Sequence, residues 1–209
     1  MDVKKAVVFI DGNNVYHNLK KMKINPKSVS YIKLCNKICS HFNVSLEKIK
    51  YYNSIPNVED NKEKYWKQYK YFEELKTSGI EVNTRKLQKL SNKERILKQK
   101  EIVSGLGLCD TCSPLVNSNC YDCIGDISTK EKGVDIAIAV SIVKYAIEHK
   151  CDCIVLISGD ADFIPALELA EKIGITVYSV SLRSGYSYDL KNQFTHVIMG
   201  TTFITECIK

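Results

Sequence analysis

The run Ile154-Val155-Leu156-Ile157-Ser158-Gly159-Asp160-Ala161-Asp162-Phe163 decides the fold. Its first four residues are apolar without a break, and three of them are β-branched. Such a run suits a strand covered on both faces, as in a parallel sheet. Ser158 and Gly159 end it, and two carboxylates follow with one alanine between them. Ile164, Leu167, Leu169, Ala170 and Ile173 then continue at mixed three- and four-residue spacing, with Pro165 where the first turn of a helix accepts it. Strand, acidic turn, helix is the order in which open α/β sheets build a ligand crevice, outside the carboxyl end of the strand. One of the two acids is accounted for as a helix cap. The second repels the first, and clustered acids mark functional sites.

Working outward, Val7-Val8-Phe9-Ile10 is a second buried strand that also stops at a carboxylate, in Asp11-Gly12-Asn13-Asn14. The spacing of Ile32, Cys35, Ile38, Cys39 and Phe42 predicts a helix from about Ser30, with both cysteines packed as small hydrophobes. Further strands are expected at Ile49–Ile55, Ile80–Leu87, Ile175–Val180 and Val197–Met199. A long helix is expected over Glu59–Lys76, with Tyr65, Tyr69 and Phe72 as its core stripe and Trp66 or Tyr71 left as surface platforms. A short helix is expected near Tyr188–Phe194, and the tail reads as ending helically. From Lys132 a helix resumes, with Ile136, Val140, Val143 and Ile147 on one apolar face. Strands alternating with helices indicate a doubly wound, mostly parallel sheet.

The pattern lapses over residues 87–130. The stretch 86–100 carries six Lys or Arg against one Glu, and Cys109, Cys112, Cys120 and Cys123 follow as two CxxC pairs seven residues apart. Four thiolates at that spacing close a tetrahedral Zn²⁺ site of structural type. A small Gly-containing segment would need such a staple to fold. The domain expectation is therefore a main domain of 1–86 and 131–209, interrupted by a basic, zinc-binding insertion at 87–130. The insertion is expected to act as an arm on the phosphates of a polyanionic partner, with Arg95, Lys98 and the adjoining Lys132 as contacts. Cys151 and Cys153 read as packing residues.

The 209 residues suffice for one full core plus an insertion. Thirty Lys and Arg against twenty-four Asp and Glu give +6, which is compatible with a polyanionic partner without identifying one. No stretch approaches membrane-spanning length, and the first apolar run is too short for a signal peptide, so a cytoplasmic protein is expected. Nine cysteines, an odd number, argue against a disulfide framework there. Gly105-Leu106-Gly107 lacks the third glycine of a dinucleotide loop, no phosphate-binding GxxxxGK[ST] occurs, the four histidines show no metal-pair spacing, and no G-x-S-x-G is present.

If the Val7 and Ile154 strands are neighbours where strand order reverses, Asp11, Asp160 and Asp162 point into one crevice. Asp135, near the start of the helix before the Ile154 strand, is a fourth candidate. Four acids with few nearby bases need a cation, and oxygen-rich sites of this kind select Mg²⁺ or Mn²⁺. Such an ion supports phosphodiester hydrolysis.

Three motifs, FIDGNNVY (Phe9–Tyr16), KGVDIAIAV (Lys132–Val140) and SGDADFIPAL (Ser158–Leu167), resemble the NYN domain, in particular its LabA-like bacterial and archaeal branch. The resemblance spans 1–86 and 131–209. It implies a Rossmann-like, PIN-like α/β/α sandwich and metal-dependent RNA cleavage. Asp11, Asp135, Asp160 and Asp162 match the acidic metal positions, Asn14 the active-site asparagine, and Ser158 the small polar residue beside the acids. Ser141 stands where many LabA-like members carry a further Asp, which bears on metal number. The readings that stay open are a non-catalytic RNA-binding module and a small-phosphoester hydrolase; the latter lacks a DxD after the first strand. A homodimer stays open as well.

Overall fold

A computed structural model describes residues 3–119 and 129–209. By internal contacts the chain divides into two compact units: residues 1–85 with 133–209, and residues 86–132.

In chain order the larger unit begins with β1 (Lys5–Asp11), α1 (Gly12–Lys21), α2 (Tyr31–His41), β2 (Ser45–Ile55), α3 (Lys62–Thr77) and β3 (Glu81–Lys86). The smaller unit follows as β4 (Gln88–Lys89), α4 (Asn92–Gly105), α5 (Cys112–Asn119) and β5 (Thr129–Lys130). The chain then returns to the larger unit with α6 (Val134–Ile147), β6 (Cys153–Ile157) and α7 (Ile164–Lys172). β7 (Thr176–Leu182), α8 (Tyr188–Gln193), β8 (Thr195–Met199) and α9 (Thr201–Thr205) complete it.

The larger unit is a six-stranded sheet between two helical layers, with strand order β3-β2-β1-β6-β7-β8. β1 pairs in parallel with β2 and β6, as do β6 with β7 and β7 with β8. The chain builds outward from β1 in one direction and from β6 in the other, so the order reverses between these two neighbours.

Alternation along the central strands explains the two cores. Val8 and Ile10 of β1, with Val155 and Ile157 of β6, face one layer and pack with Leu34 and Ile38 of α2 and Leu75 of α3. Val7 and Phe9, with Ile154 and Leu156, face the other and pack with Ile138 and Ile142 of α6, Leu167 of α7 and Leu190 of α8. Cys35, Cys39, Cys151 and Cys153 are buried thiols, as packing residues should be.

Two expected faces are corrected. On α6 the buried residues are Val134, Ile138, Ile142, Tyr145 and Ala146, whereas Ile136 and Val140 are 67% and 61% exposed and Ile147 is exposed too. This helix is apolar nearly all round, so periodicity offered two stripes and the sheet took the other one. On α3, Phe72 and Leu75 are buried while Tyr69 is exposed; Tyr71, expected at the surface, packs against the core. Trp66 is exposed, as expected. The α6 result makes a direct test. Ile138→Ala should cost about 2–5 kcal/mol in chemical denaturation, the range for emptying a core site, whereas Ile136→Ala should stay within about 0.5 kcal/mol.

In the smaller unit β4 and β5 pair antiparallel. Ser91 and Glu94 form a reciprocal capping box at the start of α4, and Glu94 also pairs with Lys130. Arg95 and Lys98 lie exposed on α4, and Lys132 ends the unit, also exposed. Cys109 and Cys112 are exposed thiols. Hydrogen bonds from the backbone and side chain of Cys112 hold the Cys109 thiol below its usual range. Cys120 and Cys123 lie outside the described residues, so the four-cysteine zinc site expected from the sequence is not described.

Candidate active site

The carboxyl ends of β1 and β6 meet at the point of strand reversal, where Ile10 pairs with Ile157. Asp11 ends β1, is only 4% exposed, and caps α1: one carboxylate oxygen accepts the Asn14 backbone N–H at 3.0 Å. Its other oxygen accepts the Ser158 hydroxyl at 3.0 Å. Ser158 Oγ in turn accepts the Asp160 N–H at 3.2 Å, and Asp160 Oδ1 accepts the Asp162 N–H at 2.9 Å. Asp160 thereby caps the short 3₁₀ turn Ala161–Phe163 that leads into α7. The capping reading of these acids holds, and it does not exhaust them, because a carboxylate that caps retains lone pairs for other partners.

Asn14 joins the same network. Its side-chain oxygen accepts the Gly159 N–H at 3.2 Å and an N–H of Asn18 at 3.0 Å. A backbone N–H meets only the oxygen end of an amide, so this contact fixes the orientation and leaves Asn14 Nδ2 as the end free to donate. Asn18, Ser184 and Gly185 complete the arrangement, and sequence reasoning does not find them. Asn18 Nδ2 also donates to the Asn14 carbonyl, and Ser184 Oγ donates to both the carbonyl and side-chain oxygens of Asn18. A Cβ on Gly159 would lie 1.7 Å from the Gly185 carbonyl oxygen, and one on Gly185 would lie 2.3 Å from Asn18 Oδ1. Two glycines therefore let the loop after β7 touch the turn that carries the acids. The only signal in the sequence is the small Ser184-Gly185 pair following an apolar strand at the same sheet edge.

Asp135 lies in the first turn of α6, which begins after Gly133 in a left-handed conformation (φ 81°) that suits glycine. Asp135 is within electrostatic range of the group. Burial first, then the Asp160 and Asp162 charges, push its carboxyl up. Burial likewise raises Asp11 to about 6 against the hydrogen bonds from Asn14 and Ser158, with Asp135 and Asp160 adding to the rise. None of the four acids makes an ion pair among the described residues. The donor set is therefore oxygen-only, negative and uncompensated, which suits a hard divalent cation. The geometry is looser than the sequence suggests: among the described residues no three His, Cys, Asp or Glu side chains converge closely enough to hold a metal. Four like charges repel, and these side chains stand apart. Ser141, at the position of the further acid in the LabA-like pattern, lines the same surface as Tyr52.

A family model for the NYN domain matches residues 5–200, nearly the whole chain. The chain belongs to the NYN domain family. NYN and PIN-like membership suggests nuclease-type function, and nucleases of this kind often use divalent metals. A crystal structure of a protein of unknown function from Vibrio parahaemolyticus is similar over 95% of this chain and 93% of that one, with a TM-score of 0.58 and 16% identity. At that identity the likeness concerns the NYN fold alone. No curated protein matches. Among the described residues no helix is long and apolar enough to cross a membrane.

Proposed function

We propose that this NYN protein is a metal-dependent ribonuclease of the LabA-like type, hydrolysing RNA phosphodiesters and cutting internally. The observation that carries the reading is Asp11: a buried carboxylate with no basic partner among the described residues, at the strand reversal, within electrostatic range of Asp135 and Asp160. Asp11, Asp135, Asp160 and Asp162 would hold Mg²⁺ or Mn²⁺. When bound, the ion supplies an activated water and offsets charge on the phosphoryl group. The residues themselves do the positioning. Ser158 and the Asn14 N–H hold both oxygens of Asp11 in place, and the free Nδ2 of Asn14 is the donor for a phosphate oxygen. No protein nucleophile is required.

The interrupted main domain, 1–86 with 131–209, would carry this chemistry. Cys109, Cys112, Cys120 and Cys123 would bind a structural Zn²⁺ in the 87–130 insertion. The depressed Cys109 thiol is in keeping with a metal ligand. Arg95, Lys98 and Lys132 would hold RNA phosphates. The separation of the carboxylates favours one rival, a non-catalytic RNA-binding module with the same fold.

The test incubates wild type and Asp160→Asn with labelled RNA and DNA strands in Mn²⁺, Mg²⁺ or EDTA, and determines zinc in the same preparations. RNA cleavage that needs the divalent ion and falls at least about 100-fold in the variant is expected, with one zinc per chain. Zinc-loaded wild type that binds RNA and cuts no strand would establish the binding module instead.

A further inference from the structure

The two helical layers cover the sheet unequally. On the side of α6 and α7, Tyr52 is the one residue of β2 and β3 that joins the core. Beside α6 the sheet is left as the floor of a trough of about 750 Å³. Lys50 and Tyr52 of β2 and Glu81, Asn83 and Arg85 of β3 form the floor. The wall is the exposed face of α6, with Ile136, Val140 and Lys144 turned into the trough, and Lys150 closes the far end.

Its charge is one-sided. Four basic residues line it against a single acid, Glu81. That acid is already neutralised, with Lys50 Nζ at 2.8 Å and Lys48 Nζ at 3.8 Å. Lys50 is nearly buried and lies over the Tyr145 ring, so it serves the floor. The cations left to attract a ligand are Arg85, which has no ion-pair partner among the described residues, and Lys144 and Lys150, which share Glu148 at 3.9 and 2.5 Å. The near end is formed by Gly133 and Val134, directly before Asp135 in the chain. A polyanion lying in the trough therefore runs toward the start of α6, whose first turn carries Asp135.

We propose that this trough seats the unpaired strand of RNA flanking the scissile phosphate. The inference rests on the nuclease reading and adds the surface on which the flanking strand lies. Arg85, Lys144 and Lys150 would take phosphates, while bases pack on Ile136 and Val140. A duplex hides its base faces in its own stack, leaving the apolar wall unused, whereas unstacked bases use both surfaces. This joint use of cations and an apolar wall is what distinguishes the site from a generally basic surface.

Fluorescence anisotropy in EDTA would compare a labelled single-stranded RNA and a labelled duplex on wild type, Arg85→Glu/Lys144→Glu and Ile136→Ser/Val140→Ser. The charge variant should bind the single strand at least about tenfold more weakly, with a shallower salt dependence. The wall variant should weaken single-strand binding with its salt dependence unchanged, and duplex binding should be weak throughout. Arg85→Gln with Lys144→Gln, milder changes at exposed positions, guards against a folding effect and should weaken binding in the same direction. Wild-type affinity and salt slope in all three variants, with cleavage still lost in Asp160→Asn, would overturn the trough and leave the nuclease reading intact. Binding lost in the variants, with no cleavage by wild type on any strand, would keep the trough and remove the nuclease reading. A wild-type dimer in sedimentation that Ile136→Ser/Val140→Ser dissociates would show that a second copy covers the wall, and would overturn the proposal.

Discussion

Asp11→Asn should raise the stability of the metal-free protein above pH 6 and abolish RNA cleavage in the same stroke. Burial lifts the Asp11 carboxyl from 3.8 to about 6. Between those values the native state holds a proton that the unfolded chain has released, so stability falls as pH rises through the interval. Once the group is ionised, the shift represents about 3 kcal/mol against the fold. The amide removes that penalty and keeps the bonds: its oxygen accepts the Asn14 N–H, and its N–H₂ donates to Ser158 Oγ, whose hydroxyl turns away. In EDTA the variant should therefore gain about 2–3 kcal/mol above pH 6 in urea denaturation, and nothing below pH 4, where the unfolded chain also carries the proton. Added Mn²⁺ should stabilise wild type by mass action and leave the variant unmoved. Cleavage should fall at least about 100-fold. A variant with wild-type stability across the pH range would show that Asp11 is not strained by burial. One that gains stability and still cuts would remove it from the chemistry.

Gly159→Ala should be the most damaging glycine-to-alanine change among the described residues. The new carbon would lie 1.7 Å from a backbone carbonyl oxygen, that of Gly185, and 2.8 Å from the carbonyl carbon. Backbone cannot swing aside as a side-chain tip does, so either the end of β6 or the loop Arg183–Ser187 must move. Moving the loop breaks the two Ser184–Asn18 hydrogen bonds, and moving the turn breaks the Gly159–Asn14 bond. Overpacking with the loss of one or two such bonds costs about 3–5 kcal/mol, a fall in Tm on the order of 10 °C for a chain of this size. Gly200→Ala is the control, since nothing lies within 4 Å of that position. Equal melting temperatures for the two variants would mean that the Gly159–Gly185 contact is not closely packed.

The acidic turn is legible in the sequence because its signal is local. Ile154–Ile157 is an unbroken buried run, and the carboxylates follow at once. Periodicity places the helix Glu59–Lys76 within a few residues of α3 for the same reason, although its stripe is only half right. The face of α6 is not legible. Ile136, Val140 and Ile147 recur at helical spacing as regularly as Val134, Ile138 and Ile142, and only contact with β1 and β6 decides between them. The Asn18–Ser184–Gly185 contacts are invisible for another reason: they join polar residues far apart in sequence, and no periodicity announces a hydrogen bond across 166 positions. The loose spacing of the four acids belongs to side-chain geometry, which spacing along a chain does not encode.

The adjacency of β1 and β6 also has a consequence in time. The bond from Ser158 to Asp11 links residues 147 apart, and β1 is hydrogen-bonded on one side by a strand that begins only at Cys153. During synthesis Asp11 emerges first, but the hydroxyl that receives it, on Ser158, is not made until 147 residues later. Until then β1 has one open edge, and closure waits on a long-range encounter of the slow kind. A growing chain therefore carries Asp11 for well over a hundred residues before the strand and the hydroxyl that hold it have been made.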